Sequence, residues 1–237
     1  MAGQKQCNYK NTMTITLNKK NKITDHWKDF KLEKEDLIWE TGLADTEMVN
    51  LWDFSFHLKA KGIKTALEIG CGAGDTCKFL ADKGIETLGI DIHLASIEKA
   101  KTKERDNLKF ECANFSDLKI KNSVDFIYDN TIYQNCVSVY GEDHISAYLE
   151  KLKEITAPGT LFFGNWMKYD SKLAKINPNL PLIHIQDIIE DFASWWDIKF
   201  IREGVYDFTK DYNKELGEKY IEKGGITSYA VLMKRKK

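Results

Sequence analysis

Between Glu68 and Asp91 the chain sets out residues suited to holding a nucleotide-like ligand. Glu68, Gly70, Gly72 and Gly74 stand at alternate positions, with Cys71 among them, and Asp91 with Ile92 follows at the end of the next apolar run. Glycines there let the backbone turn sharply and bring its amides close to a ligand with no side chain in the way. A carboxylate at the following strand end suits a ribose. The spacing argues against a dinucleotide, because the third glycine of a G-x-G-x-x-G register falls on Asp75. A carboxylate at that helix N-terminus would compete with a ligand phosphate for the same field. A second group of candidates, Asp129, Tyr133, His144 and Tyr169, could act as proton acceptors, on position alone.

These residues need elements to position them. Residues 65–69 form a short apolar run ending in glycine, as a buried parallel strand does before it turns. Asp75 and Thr76 can cap a helix that stops near Gly84, and residues 86–90 form a second strand that delivers Asp91. Residues 108–112 and 123–129 read as two more strands, the first leading to Asn114 and Phe115 and the second ending at Asp129. Parallel sheets of this kind bind ligands outside the carboxyl ends of their strands. Residues 142–155 form a clear helix, with Ile145, Tyr148, Leu149, Leu152 and Ile155 on one face. A fifth strand is expected over 161–165, an irregular loop from Trp166 to Pro181, and a helix over 183–195. Residues 197–206 and 226–234 read as two antiparallel strands that complete the sheet.

Ahead of this unit, residues 1–24 read as an arm, with an edge strand over 12–17 as the alternative. Residues 25–58 turn helical and aromatic, with Trp27 and Trp39 before a break at Gly42 and a single helix over 46–58. His93, next to the presumed ribose acid, reads as a surface histidine at a strand end, with a place near the adenosine as the alternative.

The register E-x-G-x-G-x-G (Glu68, Gly70, Gly72, Gly74), with Asp91 on the next strand, resembles motif I of the class I S-adenosylmethionine-dependent methyltransferases. The segment WETGLADTEMV is similar to an N-terminal element of their thiopurine- and thiol-type branch, which folds over the cofactor; Trp39 is there either a site residue or core. The run YDNTIYQNC resembles that branch's "DRGxFHH", with Asp129 matching the acid, Tyr133 the aromatic, Gln134 the first histidine and Asn130 replacing the arginine. The loss of that fixed cation argues against an acceptor bound there through its negative charge. Asn114 stands where the family often has an aspartate that binds the adenine amine, and its carbonyl oxygen can serve instead.

The resemblance covers residues 25–237. It implies an α/β, Rossmann-like, seven-stranded, mostly parallel sheet with helices on both faces and an N-terminal helical cap. It also implies S-adenosyl-L-methionine as cofactor and methyl transfer to a small-molecule thiol, amine, hydroxyl or oxyanion. The competing reading is a non-catalytic cofactor- or partner-binding protein that kept the fold.

Composition limits the partners. The 237 residues carry a formal net charge of −1, which sets up no field to gather nucleic acid or an anionic membrane. The first thirty residues hold no apolar stretch of signal-peptide type, and no run is long enough to span a bilayer. Five cysteines without C-x-x-C or zinc-ligand spacing point to reduced thiols, no metal and a cytoplasmic setting.

Overall fold

A computed structural model describes residues 6–8, 14–17, 40–54, 62–176, 178, 180–206 and 226–237. Two short strands come first, β1 (Gln6–Asn8) and β2 (Thr14–Leu17), then helix α1 (Thr46–Phe54). The nucleotide-type unit follows as β3 (Thr65–Ile69), α2 (Asp75–Asp82), β4 (Glu86–Asp91), α3 (Leu94–Lys101) and β5 (Leu108–Cys112). After a 3-10 turn at Phe115–Asp117 come β6 (Leu118–Ile120), β7 (Phe126–Asn130) and the short α4 (Ile132–Asn135). The chain ends with α5 (Glu142–Ile155), β8 (Leu161–Met167), α6 (Ser171–Ile176), α7 (Ile185–Phe192), β9 (Trp196–Val205) and β10 (Thr227–Arg235).

The main sheet has seven strands in the order β5-β4-β3-β7-β8-β10-β9. From β5 through β8 the pairs are parallel, and β10 runs antiparallel to both of its neighbours. Strands covered on both faces read as unbroken apolar runs, and β3 and β8 are buried at every position. Alternate residues divide between two cores. Leu67, Ile127 and Phe162 pack with Tyr148 and Leu152 of α5 and Ile188 and Phe192 of α7. Ala66, Phe126 and Phe163 face the other way, onto Met48 and Leu51 of α1 and Leu80 of α2. The expected architecture, helices on both faces of a mostly parallel sheet, is the one observed.

Three details differ from the expectation. The fifth strand runs on through Met167, which puts Trp166 in the core with no exposed surface instead of in a loop. The stretch after it contains α6, whose Leu173 is buried. Instead of a free arm, residues 14–17 form the strand alternative, because β2 pairs antiparallel with β6 in a small second sheet with β1. Trp27, Trp39 and the first half of the expected helical cap lie outside the described residues, as does the end of the 46–58 helix.

Candidate functional site

The carboxyl ends of β3, β4, β5 and β7 open onto one cleft of about 900 Å³. At its floor the chain leaves β3 through Gly70, whose N–H donates to Ile90 O at 2.8 Å, as does that of Cys71 at 2.9 Å. Gly70 and Gly74 have φ of 75° and 81°, the left-handed region that L side chains rarely enter. A Cβ on Gly70 would lie 2.6 Å from the Ile132 side chain, and one on Gly74 would run into the Phe110 ring. The loop therefore stays flat against the sheet edge, and α2 begins directly after it. Lys103 fastens the start of this helix, donating to Ala73 O at 2.7 Å and pairing with Asp75 at 3.2 Å.

Asp91 is tied to the same loop: Oδ2 accepts from Gly72 N at 2.9 Å and Oδ1 from His93 N at 2.8 Å. Burial pushes its carboxyl up, while those two N–H donors hold it down. Glu68 is buried on the cleft floor and accepts from Cys77 Sγ at 2.7 Å. Loss of water, reinforced by Asp45, Asp75 and Asp91, pushes its carboxyl up to about 8. Cys71, Ile92, Asn114 and Phe115 line the cleft. Asn114 Oδ1 also caps the 3-10 turn through Ser116 N at 3.2 Å, so one of its two lone pairs is already engaged. His93 caps α3, its Nδ1 3.0 Å from Ser96 Oγ, and is half-buried on the cleft wall instead of fully on the surface.

The expected proton acceptors separate into those inside and those outside the cleft. Asp129 is not on the cleft wall. It is fully buried and accepts from Ile132 N at 2.8 Å, Tyr133 N at 3.0 Å, Trp166 Nε1 at 3.3 Å and the Tyr148 hydroxyl. Burial pushes it up to about 6, against those four donors. Its work is to hold the turn after β7, not to meet a substrate or the cofactor. Tyr133 is likewise corrected: its ring packs on Trp166 and Phe192, its hydroxyl donates to Asp191 at 2.6 Å, and neither Tyr133 nor Asp191 lines the cleft. Tyr169 stacks on His184 with ring centroids 4.0 Å apart and does not line the cleft. His144 does line it. Its Nδ1 lies 3.1 Å from Tyr140 O, which can only accept, so Nδ1 carries the hydrogen and Nε2 keeps its lone pair.

Several wall residues had no warning in the sequence. Asp45 caps α1, accepting from Met48 N at 3.0 Å, and its other oxygen takes Asn165 at 3.1 Å and Asn130 at 3.3 Å. Its only sequence signal was that of a helix cap. Residues Cys136–Tyr140 form a π-helical turn on the wall, closed by Gly141 N to Cys136 O at 2.9 Å; such turns recur at functional sites. Thr131, between β7 and α4, has a φ of 86°. For a β-branched residue this is strained, and Asp129's paired bonds to the next two amides keep it there. Thr131→Gly is accordingly expected to raise stability by about 1 kcal/mol, the released strain exceeding the entropy that glycine adds to the unfolded chain. Urea unfolding checks this, and a lower midpoint would mean the turn is relaxed as it stands.

Residues 66–159, which supply most of the cleft's lining, match the family described as "Methyltransferase domain". Over that segment the chain carries a methyltransferase domain, and its likeness in fold is to S-adenosylmethionine-dependent members of the class. No curated protein matches the sequence. Among solved structures the fold is similar to that of an S-adenosylmethionine-dependent methyltransferase from Clostridium acetobutylicum ATCC 824, at 14% identity and a TM-score of 0.62, over 81% of this chain and 92% of that one. It is also similar to the N-methyltransferase NodS from Bradyrhizobium japonicum WM9 in complex with S-adenosyl-L-homocysteine, at 13% identity and 0.58, over 80% and 86%. A third is magnesium protoporphyrin IX methyltransferase from Synechocystis PCC 6803 with bound S-adenosylhomocysteine, at 14% identity and 0.55, over 79% and 82%.

S-adenosylmethionine is the cofactor of this class, and the methyltransferase domain's own residues fit it. The cleft wall carries five carboxylates, Glu40, Asp45, Glu68, Asp75 and Asp91, and among the described residues it has no Lys or Arg. Such a wall suits a ligand with a cationic amine and a sulfonium and disfavours a diphosphate. No described helix is long and apolar enough to cross a membrane, and no group of His, Cys, Asp and Glu among the described residues is arranged to hold a metal ion.

Proposed function

We propose that the protein transfers a methyl group from S-adenosylmethionine to a small-molecule acceptor. The observation that carries this is the Gly70–Gly74 cradle joined through Gly72 N to Asp91, at the floor of a cleft with an entirely acidic charged lining apart from its histidines. When bound, the cofactor supplies a sulfonium-activated methyl, so the protein's share is alignment and electrostatics. Asp91 is assigned the ribose hydroxyls, Glu68 the amino end, and Asn114 with Phe115 the adenine. Cys71 and Ile92 complete the wall on that side. Trp39 is placed over the cofactor by resemblance alone. His144 Nε2 is assigned any proton the acceptor must lose. The acceptor is expected to be compact, because Pro178, Leu180 and Pro181 wall one side of the cleft. The thiopurine- and thiol-type branch remains a resemblance, carried by the N-terminal segment and the run at Asp129. Free Cys71, Cys77, Cys112 and Cys136 accord with a reducing, cytoplasmic setting.

The proton on Glu68 makes this reading measurable. A carboxyl held near 8 is mostly protonated at pH 7, and a cationic amine beside it lowers that value. Binding of S-adenosylhomocysteine at pH 7 is therefore expected to release a proton, seen as a calorimetric enthalpy that changes with the ionisation heat of the buffer. Glu68→Gln should bind more weakly and lose the buffer dependence. No binding at all would sink the functional reading; binding without proton release would remove Glu68 from the amino end. The linkage also has a sign for stability. Because folding raises this pKa, the folded state holds the proton more tightly than the unfolded chain, so the contribution is present below about 4.5 and lost as pH rises toward 8.

A further inference from the structure

The turn after β7 carries polar atoms that the fold itself does not use. Asn130 Nδ2 donates to the Asp45 carboxylate at 3.3 Å, which fixes the amide so that Oδ1 is its free end, and that oxygen has no hydrogen-bond partner among the described residues. Gln134 has no exposed surface, yet it borders the cleft. Its Oε1 accepts from Met167 N at 2.5 Å, which leaves Nε2 as the free end, again without a partner among the described residues. Buried amides left half-satisfied are costly, and a bound molecule that meets them recovers that cost. Thr131, between the two, is held on the same wall in its strained conformation. Behind Asn130 stands Asp45, and no Lys or Arg lines the cleft among the described residues.

We infer that this turn is the acceptor subsite and that the acceptor is an amine, with an oxygen near the nitrogen to meet Gln134. The inference rests on the methyltransferase reading above. Lys99 and Lys103 pair with Glu40 and Asp75, but no Lys or Arg among the described cleft residues stands at Asp45 behind Asn130. A carboxylate, phosphate or thiolate acceptor is therefore repelled at this turn, whereas an ammonium is attracted to it. Asn130 Oδ1 and the Thr131 hydroxyl accept from the nitrogen's N–H groups, and Gln134 Nε2 donates to the neighbouring oxygen. An amine arriving as ammonium gives one proton to His144 Nε2 or to water before it reacts. Transfer then forms an N–C bond as the methyl's C–S bond breaks, with that electron pair left on sulfur. The nitrogen becomes cationic and returns to neutrality by losing a second proton to solvent.

The test uses the full-length protein saturated with S-adenosylhomocysteine and matched probes that differ only in the reacting group. 6-Amino-6-deoxyglucose, glucose and glucuronate form one set; 2-phenylethylamine, 2-phenylethanol and 3-phenylpropionate form another; 2-aminoethanol, ethylene glycol and glycolate form a third. Affinities are read by ligand-observed NMR. The amine is expected to bind at least about tenfold more tightly than its carboxylate and alcohol counterparts in every set that binds. Asn130→Leu and Thr131→Val should each lower amine affinity about tenfold, with S-adenosylhomocysteine binding retained as the sign of an intact fold. Equal or tighter binding of a carboxylate or alcohol overturns the inference, as does the absence of amine binding in all three sets. Failure to bind S-adenosylhomocysteine would overturn the methyltransferase reading instead, so the two failures are distinguishable.

Discussion

Replacing Asp91 by alanine is expected to weaken S-adenosylhomocysteine binding at least about a hundredfold. Two ribose hydroxyls donating to one carboxylate amount to two charge-assisted hydrogen bonds, each worth about 1.5–3 kcal/mol, and the smaller sum already corresponds to that factor. The structure adds a second route to the same loss. Asp91 also accepts from Gly72 N and His93 N, so alanine leaves the glycine loop and the cap of α3 each without a partner. The fold should survive, because the side chain is at the end of β4 and outside the cores. Calorimetry on a variant with an unchanged circular-dichroism spectrum checks this; an unaltered dissociation constant would take Asp91 out of the site.

Gly74→Ala is expected to destabilise the protein by about 2–5 kcal/mol. The left-handed conformation at φ 81° costs an L residue roughly 1–2 kcal/mol, and overpacking a filled interior costs about 1–3 kcal/mol more. The second cost is hard to escape here. The new methyl runs into the Phe110 ring, which is only 2% exposed and cannot swing into solvent, and the Ala100 Cβ lies 3.2 Å away on the other side. If the start of α2 shifts to make room, the cradle opens and cofactor binding falls as well. A urea midpoint equal to that of the parent protein would show that the loop does not adopt this conformation.

The cofactor side of the site was readable from the sequence because its physics is local. A backbone forced into φ > 0 selects glycine, a buried parallel strand shows as an apolar run, and an acid at the next strand end follows from the βαβ geometry. The acceptor side was not. Which way Asp129 and Tyr133 point is decided by the turn at Thr131, and a β-branched threonine carries no signal for a left-handed turn. Two residues chosen for their chemistry therefore proved to be structural, one holding the turn and the other in the core. Asp45 and Asn165 meet across 120 residues of chain, a contact that no window of sequence contains. Trp166 was misplaced for a simpler reason. Gly164 and Asn165 interrupt the apolar run and read as the strand's end, but pairing with β10 carries it on through Trp166 and Met167.

The place of β10 in the sheet has a consequence for how the protein is made. It is the last strand in the chain, yet it lies between β8 and β9, with Ser228–Lys234 bonded to β8 on one side and Thr227–Arg235 to β9 on the other. While the ribosome is still adding those residues, β8 has an unpaired edge and β9 has no sheet to join. Exposed edges of that kind invite pairing with other chains. The parallel strands that hold the glycine cradle pair with no strand beyond β8 other than β10, so they can come together before it is made, but the sheet closes only once Arg235 has cleared the exit tunnel. Translation that stalls before β10 is complete would thus release chains with a nearly complete cofactor cradle and one sticky strand.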